Sequence, residues 1–151
     1  MKTIALLLSA GHGSRFGAAR PKQFLPLLGR PVLRHAAEAL LADGLVAALQ
    51  PVAPAGEEVF VAGLLEGLPC LPVVAGGATR EESVRAGLGA IAAQAPDFVL
   101  VHDAARPVIP KGTIPALLAA LDNAPGAIPA QPVADTLKRV VDGLIQVVFL
   151  M

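Results

Sequence analysis

Short apolar runs alternate with helix-period patterns along the chain. Thr3 to Leu8 is a continuous β-capable run that stops at Ala10-Gly11, the pattern of a strand buried on both faces. Pro31 suits the first turn of a helix whose apolar face is Leu33, Ala37, Leu40 and Leu41, with Gly44 ending it. Leu45 to Val52 reads as a second strand, Glu57 to Leu65 as a short helix, and Cys70 to Val74 as a third strand. Thr79-Arg80-Glu81-Glu82 matches a capping box, and behind it Val84, Leu88 and Ile91 mark one helical face. Phe98 to Val101 is a fourth strand, and Ile114, Leu117, Leu118 and Leu121 mark a further helix. Ala127 to Val133 is expected as a fifth strand, weakened by Pro129 and Pro132. This alternation predicts an α/β fold, a mostly parallel sheet covered by helices on both faces. Such sheets bind ligands beyond the carboxyl ends of their strands. The loops to watch follow Leu8, Val74 and Val101.

The pattern changes near the C-terminus. Leu137 to Val141 and Leu144 to Val148 flank Asp142-Gly143, a strong short-range hairpin signal. The chain divides into an α/β domain, 1–135, and a β-arm, 136–151. The arm is expected to be incomplete, because Phe149-Leu150-Met151 ends the chain while it is still apolar.

The 151 residues suit one domain. An apolar content of 54% with 16% charged residues excludes disorder. With five Phe and neither Tyr nor Trp, the core must come from Ala, Val, Leu and Ile. Lys+Arg and Asp+Glu balance at 12 each, which argues against a nucleic-acid partner. One cysteine, Cys70, excludes a disulfide framework; it is expected to be a buried strand residue. No apolar run reaches the ~18–20 residues that span a bilayer. Met1-Lys2 followed by Ile4 to Leu8 is too short for a signal and runs into Gly-His-Gly-Ser-Arg, so no membrane partner and a cytoplasmic location are expected. His12, His35 and His102 are isolated and read as structural.

The loop after the first strand carries the candidate chemistry. Ser9-Ala10-Gly11-His12-Gly13-Ser14-Arg15-Phe16-Gly17 is followed by Arg20-Pro21-Lys22. Glycines let backbone N–H groups approach phosphate oxygens closely, though a Gly-rich turn alone reads equally as a tight turn. It is not a Walker A loop, since no Gly-Lys-Ser/Thr follows. It is a poor dinucleotide fingerprint too: the third glycine comes one place late, and the second strand ends in Gln50-Pro51 rather than an acid. The cations Arg15, Arg20 and Lys22 tip the reading toward a triphosphate whose charge must be neutralised during transfer.

Four ordered segments then carry a resemblance. Leu8 to Arg15 with Pro21-Lys22-Gln23 resembles the signature loop of the nucleotidyltransferases that activate sugars and polyols. Gly76-Gly77-Ala78-Thr79-Arg80-Glu81-Glu82-Ser83-Val84, Val101-His102-Asp103-Ala104-Ala105-Arg106-Pro107 and Pro132-Val133-Ala134-Asp135-Thr136-Leu137-Lys138 are similar to three further motifs. Together they resemble the 2-C-methyl-D-erythritol 4-phosphate cytidylyltransferase family of the non-mevalonate isoprenoid pathway. The resemblance implies a Rossmann-like nucleotidyltransferase fold with a β-hairpin arm, and CTP and a polyol phosphate as substrates. A related transferase such as ribitol-5-phosphate cytidylyltransferase, or a truncated nucleotide-binding piece without activity, is the alternative.

By the same resemblance Arg15 and Lys22 are catalytic, stabilising charge on the triphosphate. Ala10, Gly11, Gly13, Gly77, Ser83 and Ala104 contact the nucleotide, Asp103 holds Mg²⁺, and Arg106 and Thr136 meet the phosphate of the acceptor alcohol. Arg80 supports the nucleotide loop or simply flanks the helix start. Arg20 is left as a surface charge. Where family members have an acidic residue, this chain has Ala78. Family members exchange the arm to form a homodimer. They continue past this chain with a late Asp and Lys, and in some bacteria are fused to the cyclodiphosphate synthase of the same pathway.

Overall fold

The computed structural model describes residues 1–11, 20–132, 138–142 and 144–147. Strand β1, Thr3–Leu8, lies inside a four-stranded sheet. The other strands are β4, Ala48–Ala53, β5, Val74–Ala75, and β6, Phe98–Asp103, in the order β5-β4-β1-β6. Every pairing is parallel. Between β1 and β4 come a short 3₁₀ turn, Lys22–Phe24, the two-residue strands β2, Pro26–Leu27, and β3, Arg30–Pro31, and helix α1, Val32–Leu41. Helices α2, Glu58–Leu64, α3, Arg80–Ile91, and α4, Thr113–Ala120, follow, and the hairpin β7, Lys138–Val141, with β8, Leu144–Val147, closes the order.

β1 is buried at every position, which explains its unbroken apolar run. Ala5 and Leu7 face a core built with Leu33 of α1, Val61 of α2, and Ile114 and Leu118 of α4. Ile4, Leu6 and Leu8 face a second core with Val52 and Ile91 of α3. Both sheet faces are thus covered by helices, as the sequence pattern predicts. Among the described residues no helix is long and apolar enough to cross a membrane.

Several expectations shift. Residues 45–47 precede rather than join β4. Here Ala47 donates its N–H to Thr3 O at 2.9 Å. β6 runs two residues beyond the expected end, to Asp103. Leu88 was expected on the buried face of α3, but it is 42% exposed. Ile91, expected there too, is buried and Val84 packs against the second core, while the other buried positions of α3 are Ser83 and Gly87, spaced with Ile91 by four. Residues 127–132 form no strand. Pro129 and Pro132 donate no N–H, and Ile128 is exposed. Val133 and the 135/136 domain boundary lie outside the described residues.

The third strand is interrupted, and prolines explain why. Leu49 N–H donates to Pro69 O and Leu71 N–H to Leu49 O, each at 2.8 Å, so the ladder starts with a bridge between Leu49 and Cys70. Pro51 cannot donate the next bond. The buried Gln50 side chain fills the gap, its Nε2 donating to Pro51 O at 3.0 Å and Pro72 O at 2.9 Å. Regular pairing resumes at Val52–Val74. Cys70 is half-buried rather than sealed. Burial pushes its thiol pKa up, and nearby Arg34 opposes this.

Two hairpins occur. The expected one pairs Val141 with Leu144, and Asp142 has φ 49°, the left-handed backbone that a type I′ turn requires. The other was not anticipated. β2 and β3 pair around Leu28 (φ 49°) and Gly29 (φ 80°), and only the glycine at the second position hinted at it.

Gln50→Leu keeps the volume but strands the buried carbonyl oxygen of Pro51 and the part-buried one of Pro72. It is expected to lower stability by about 1–3 kcal/mol, read as a lower urea midpoint with an unchanged slope. An unchanged midpoint would mean that the amide does not bridge the interrupted ladder.

Candidate active site

β1, β4 and β6 end side by side, with Leu8 in register with Val52 on one side and Asp103 on the other. The loops that leave these ends enclose a cleft of about 550 Å³. The loop after β1 supplies Ala10 and Gly11, and the 3₁₀ turn supplies Lys22 and Gln23. The loop after β5 and the start of α3 supply Gly77, Ala78, Thr79, Arg80 and Ser83, and the end of β6 supplies Asp103, Ala105 and Arg106.

Each wall is held by identifiable bonds. Ser9 is buried, and both its N–H (2.8 Å) and its Oγ (2.9 Å) donate to Val52 O. Gly76 N–H donates to Ala53 O at 2.8 Å. A Cβ on Gly76 would lie 2.5 Å from Ala10 Cβ and 2.7 Å from Ser83 Oγ, and one on Gly77 would lie 2.3 Å from Glu82 Cβ. Neither glycine has a positive φ. Close approach, not backbone freedom, demands them. Ser83 Oγ accepts from Gly77 N–H at 3.2 Å and donates to Thr79 O at 2.9 Å, so this hydroxyl is engaged in holding its own loop. The expected capping box forms. Glu82 N–H donates to Thr79 Oγ1 and Thr79 N–H to Glu82 Oε2, each at 3.1 Å. The α3 N-terminus therefore opens at the cleft, where the helix dipole favours an anion.

Charge in the cleft centres on Asp103, whose side chain is 34% exposed. Its Oδ1 is 3.2 Å from Arg80 Nε and its Oδ2 is 3.3 Å from Arg106 Nε. Both arginines are well exposed, and such pairs contribute ~1 kcal/mol or less, so a competing cation can displace them. Among the described residues no three His, Cys, Asp or Glu come together. A lone carboxylate suits a hard cation that brings most of its own oxygen ligands, as Mg²⁺ on a triphosphate does.

Of the residues singled out from sequence, Ala10, Gly11, Lys22, Gly77, Ser83, Asp103 and Arg106 line this cleft. Ala104 lies behind its wall. It is fully buried, its N–H donates to Leu8 O at 2.9 Å, and Ala105 takes the lining position. Arg15, Gly13 and Thr136 lie outside the described residues. Arg80, undecided between two roles, pairs with Asp103. Arg20 is not a bare surface charge, since its guanidinium sits 4.8 Å from the Phe60 ring centre. His35 and His102 each bond a backbone carbonyl, of Leu27 and Arg106. Gln23 had no role assigned from sequence. The signal available was its place in the Pro21-Lys22-Gln23 segment of the signature loop.

A parallel α/β sheet whose strand ends open into a cleft of glycines, an acid and several cations is the architecture of the α/β nucleotidyltransferases. The family model for 2-C-methyl-D-erythritol 4-phosphate cytidylyltransferase matches residues 3–148. The chain belongs to that family. A bifunctional enzyme IspD/IspF from Granulibacter bethesdensis is 54% identical over 145 residues, which is 96% of this chain and 37% of that protein. The crystal structure of a 4-diphosphocytidyl-2C-methyl-D-erythritol synthase is 34% identical with a TM-score of 0.76, covering 95% of this chain and 65% of that one. The bifunctional IspDF from Campylobacter jejuni has a TM-score of 0.77 at 26% identity, covering 97% of this chain and 37% of that one. The chain thus spans somewhat over a third of the length of the bifunctional relatives it matches.

Proposed function

We propose that this chain is the nucleotide-binding part of a cytidylyltransferase that joins CTP to 2-C-methyl-D-erythritol 4-phosphate and releases pyrophosphate. The observation that carries the reading is the convergence of Lys22, Gly77 and the pair Asp103 and Arg106, from three separate segments, on one cleft at the strand ends in a chain of this family. An oxygen of the acceptor phosphate attacks the α-phosphorus of CTP in line. The new P–O bond forms as the bond to the β-phosphate's bridging oxygen breaks, and the electron pair leaves on pyrophosphate. Such transfer needs positioning and charge stabilisation rather than a nucleophilic side chain. Lys22, with Arg15, neutralises charge gathering on the triphosphate. Ala10, Gly11, Gly13 and Gly77 let it lie close to backbone. Arg106 and Thr136 receive the acceptor phosphate.

Asp103 is the residue that would hold Mg²⁺, which when bound supplies charge neutralisation to the phosphates. Its carboxylate would exchange the Arg80 and Arg106 partners for the cation, and Arg106 would then be free to turn toward the acceptor. Ser83 contributes by holding the Gly77 loop. The chain would work in the cytoplasm, where CTP is available, as a homodimer joined through its arm. Val140 and Leu144 support that pairing, being 63% and 73% exposed on a two-stranded hairpin, which alone is marginal in water.

Lys22→Ala is expected to cut turnover by about 10²–10³, the effect of losing one preorganised donor to developing charge, with folding unchanged. CTP binding and turnover are measured separately. A chain that binds CTP without turning it over is the nucleotide-binding part alone, and one that binds no CTP overturns the reading. Asp103→Asn is expected to abolish the Mg²⁺ dependence of CTP affinity in calorimetric titrations. Equal Mg²⁺ dependence in mutant and parent would remove the metal role. Val140→Lys is expected to shift a dimer toward monomer in light scattering, whereas a parent that is already monomeric would rule out the arm as an association element.

A further inference from the structure

We propose that Gln23 is a positioning residue, which locks Lys22 and the start of the first loop into one rigid unit for nucleotide binding. The inference rests on the nucleotide reading above and assigns a role that the sequence motifs do not.

Gln23 is 4% exposed, although the neighbouring Lys22 is exposed on the cleft wall. A buried primary amide must satisfy its two N–H groups. Its Nε2 donates to Ser9 O at 2.7 Å and Gly11 O at 2.9 Å. Both partners are carbonyl oxygens, which can only accept, so the nitrogen rather than the oxygen must face them. The amide thus spans Ala10 and ties down the backbone on each side of it.

Both ends of this clasp are themselves fixed. Ser9 is bound to β4 through Val52 O. On the other side Phe24 is buried in the larger core and meets Phe60 edge-on at 5.4 Å. Phe24 N–H closes the turn on Pro21 O at 3.0 Å. Near threefold symmetry in a 3₁₀ turn sends successive side chains in different directions. Phe24 goes to the core, Gln23 to the loop, and Lys22 to the cleft. The lysine, a flexible chain with a compact charge, is therefore placed by its neighbour's amide relative to Gly11, where a phosphate would lie.

Two measurements on the intact chain decide the matter. In ¹⁵N-labelled protein each Gln23 side-chain amide hydrogen, held by one hydrogen bond, is expected to exchange on the order of tenfold slower than those of Gln131. Exchange at the same rate as the exposed Gln131 overturns the clasp. Next, binding of CTP with Mg²⁺ is compared for the unchanged chain, Gln23→Leu, Lys22→Ala and the double variant. Gln23→Leu is expected to raise Kd about tenfold, yet less than about twofold when Lys22 is already Ala, because coupled residues are not additive. An equal factor in both backgrounds overturns the positioning role, since an effect on folding alone does not depend on Lys22. If Gln23→Leu does not fold, Gln23→Asn, one methylene shorter and able to reach at most one carbonyl, takes its place in the cycle. A protected amide in a chain that binds no CTP marks failure of the functional reading, and tight CTP binding with additive variants marks failure of this inference.

Discussion

Gly87 lies where α3 crosses β1 and β4, and a Cβ there would stand 3.0 Å from Val52 Cγ2 and 3.2 Å from the Leu6 methyls. Its absence lets α3 rest directly on the sheet. One turn toward the N-terminus, Ser83 is buried against the Gly77 loop and bonds it. That loop in turn lies so close to Ala10 that no side chain fits between them. The depth and shape of the cleft follow from this chain of close contacts, because a packed interior transmits even one added methyl to its neighbours.

The electrostatics of the cleft are built to be exchanged. Asp103 is only partly exposed, but its two arginine partners are mostly in water, where such pairs are weak. A buried pair would hold its carboxylate against a ligand. An exposed pair keeps the acid neutralised yet is weak enough to be exchanged for another partner. The rigid parts of the site lie elsewhere, in the buried side chains of Ser9, Gln23 and Ser83, whose bonds run to backbone atoms. Fixed loops carrying replaceable charges fit the function proposed above, in which the site binds a polyanion and releases pyrophosphate.

Prolines set the limits of the sheet. Pro51 and Pro72 break the ladder between β4 and β5, and Gln50 mends it from the side. Pro129 and Pro132 leave residues 127–132 without a strand. Among the described strands β6 is therefore an edge of the sheet, with β5 at the other, and it is only half-buried along most of its length.

Most of the chain order of strands and helices was legible in the sequence because those elements declare themselves by local periodicity, whereas the β2–β3 hairpin gave almost no signal and residues 127–132 form no strand. A short β-capable run such as Thr3–Leu8, stopped by Ala10-Gly11, reads as a strand covered on both faces, a capping box such as Thr79–Glu82 starts a helix wherever it lands, and Asp142-Gly143 turns a hairpin by its own backbone preference. Family motifs named most of the cleft-lining residues before any contact was known. The buried face of α3 was legible only in part: Ile91 and Val84 do meet the core, but the apolar count also favours Leu88, while packing against Leu6 and Val52 selects the small residues Ser83 and Gly87. Not legible at all were the Arg80–Asp103 pair, the withdrawal of Ala104 behind Ala105, and the clasp of Gln23 on Ser9 and Gly11. Each joins groups far apart in sequence or depends on which side of a turn faces the sheet. Periodicity records what a segment prefers by itself, whereas these features exist only once the parallel sheet has brought the ends of β1, β4 and β6 together.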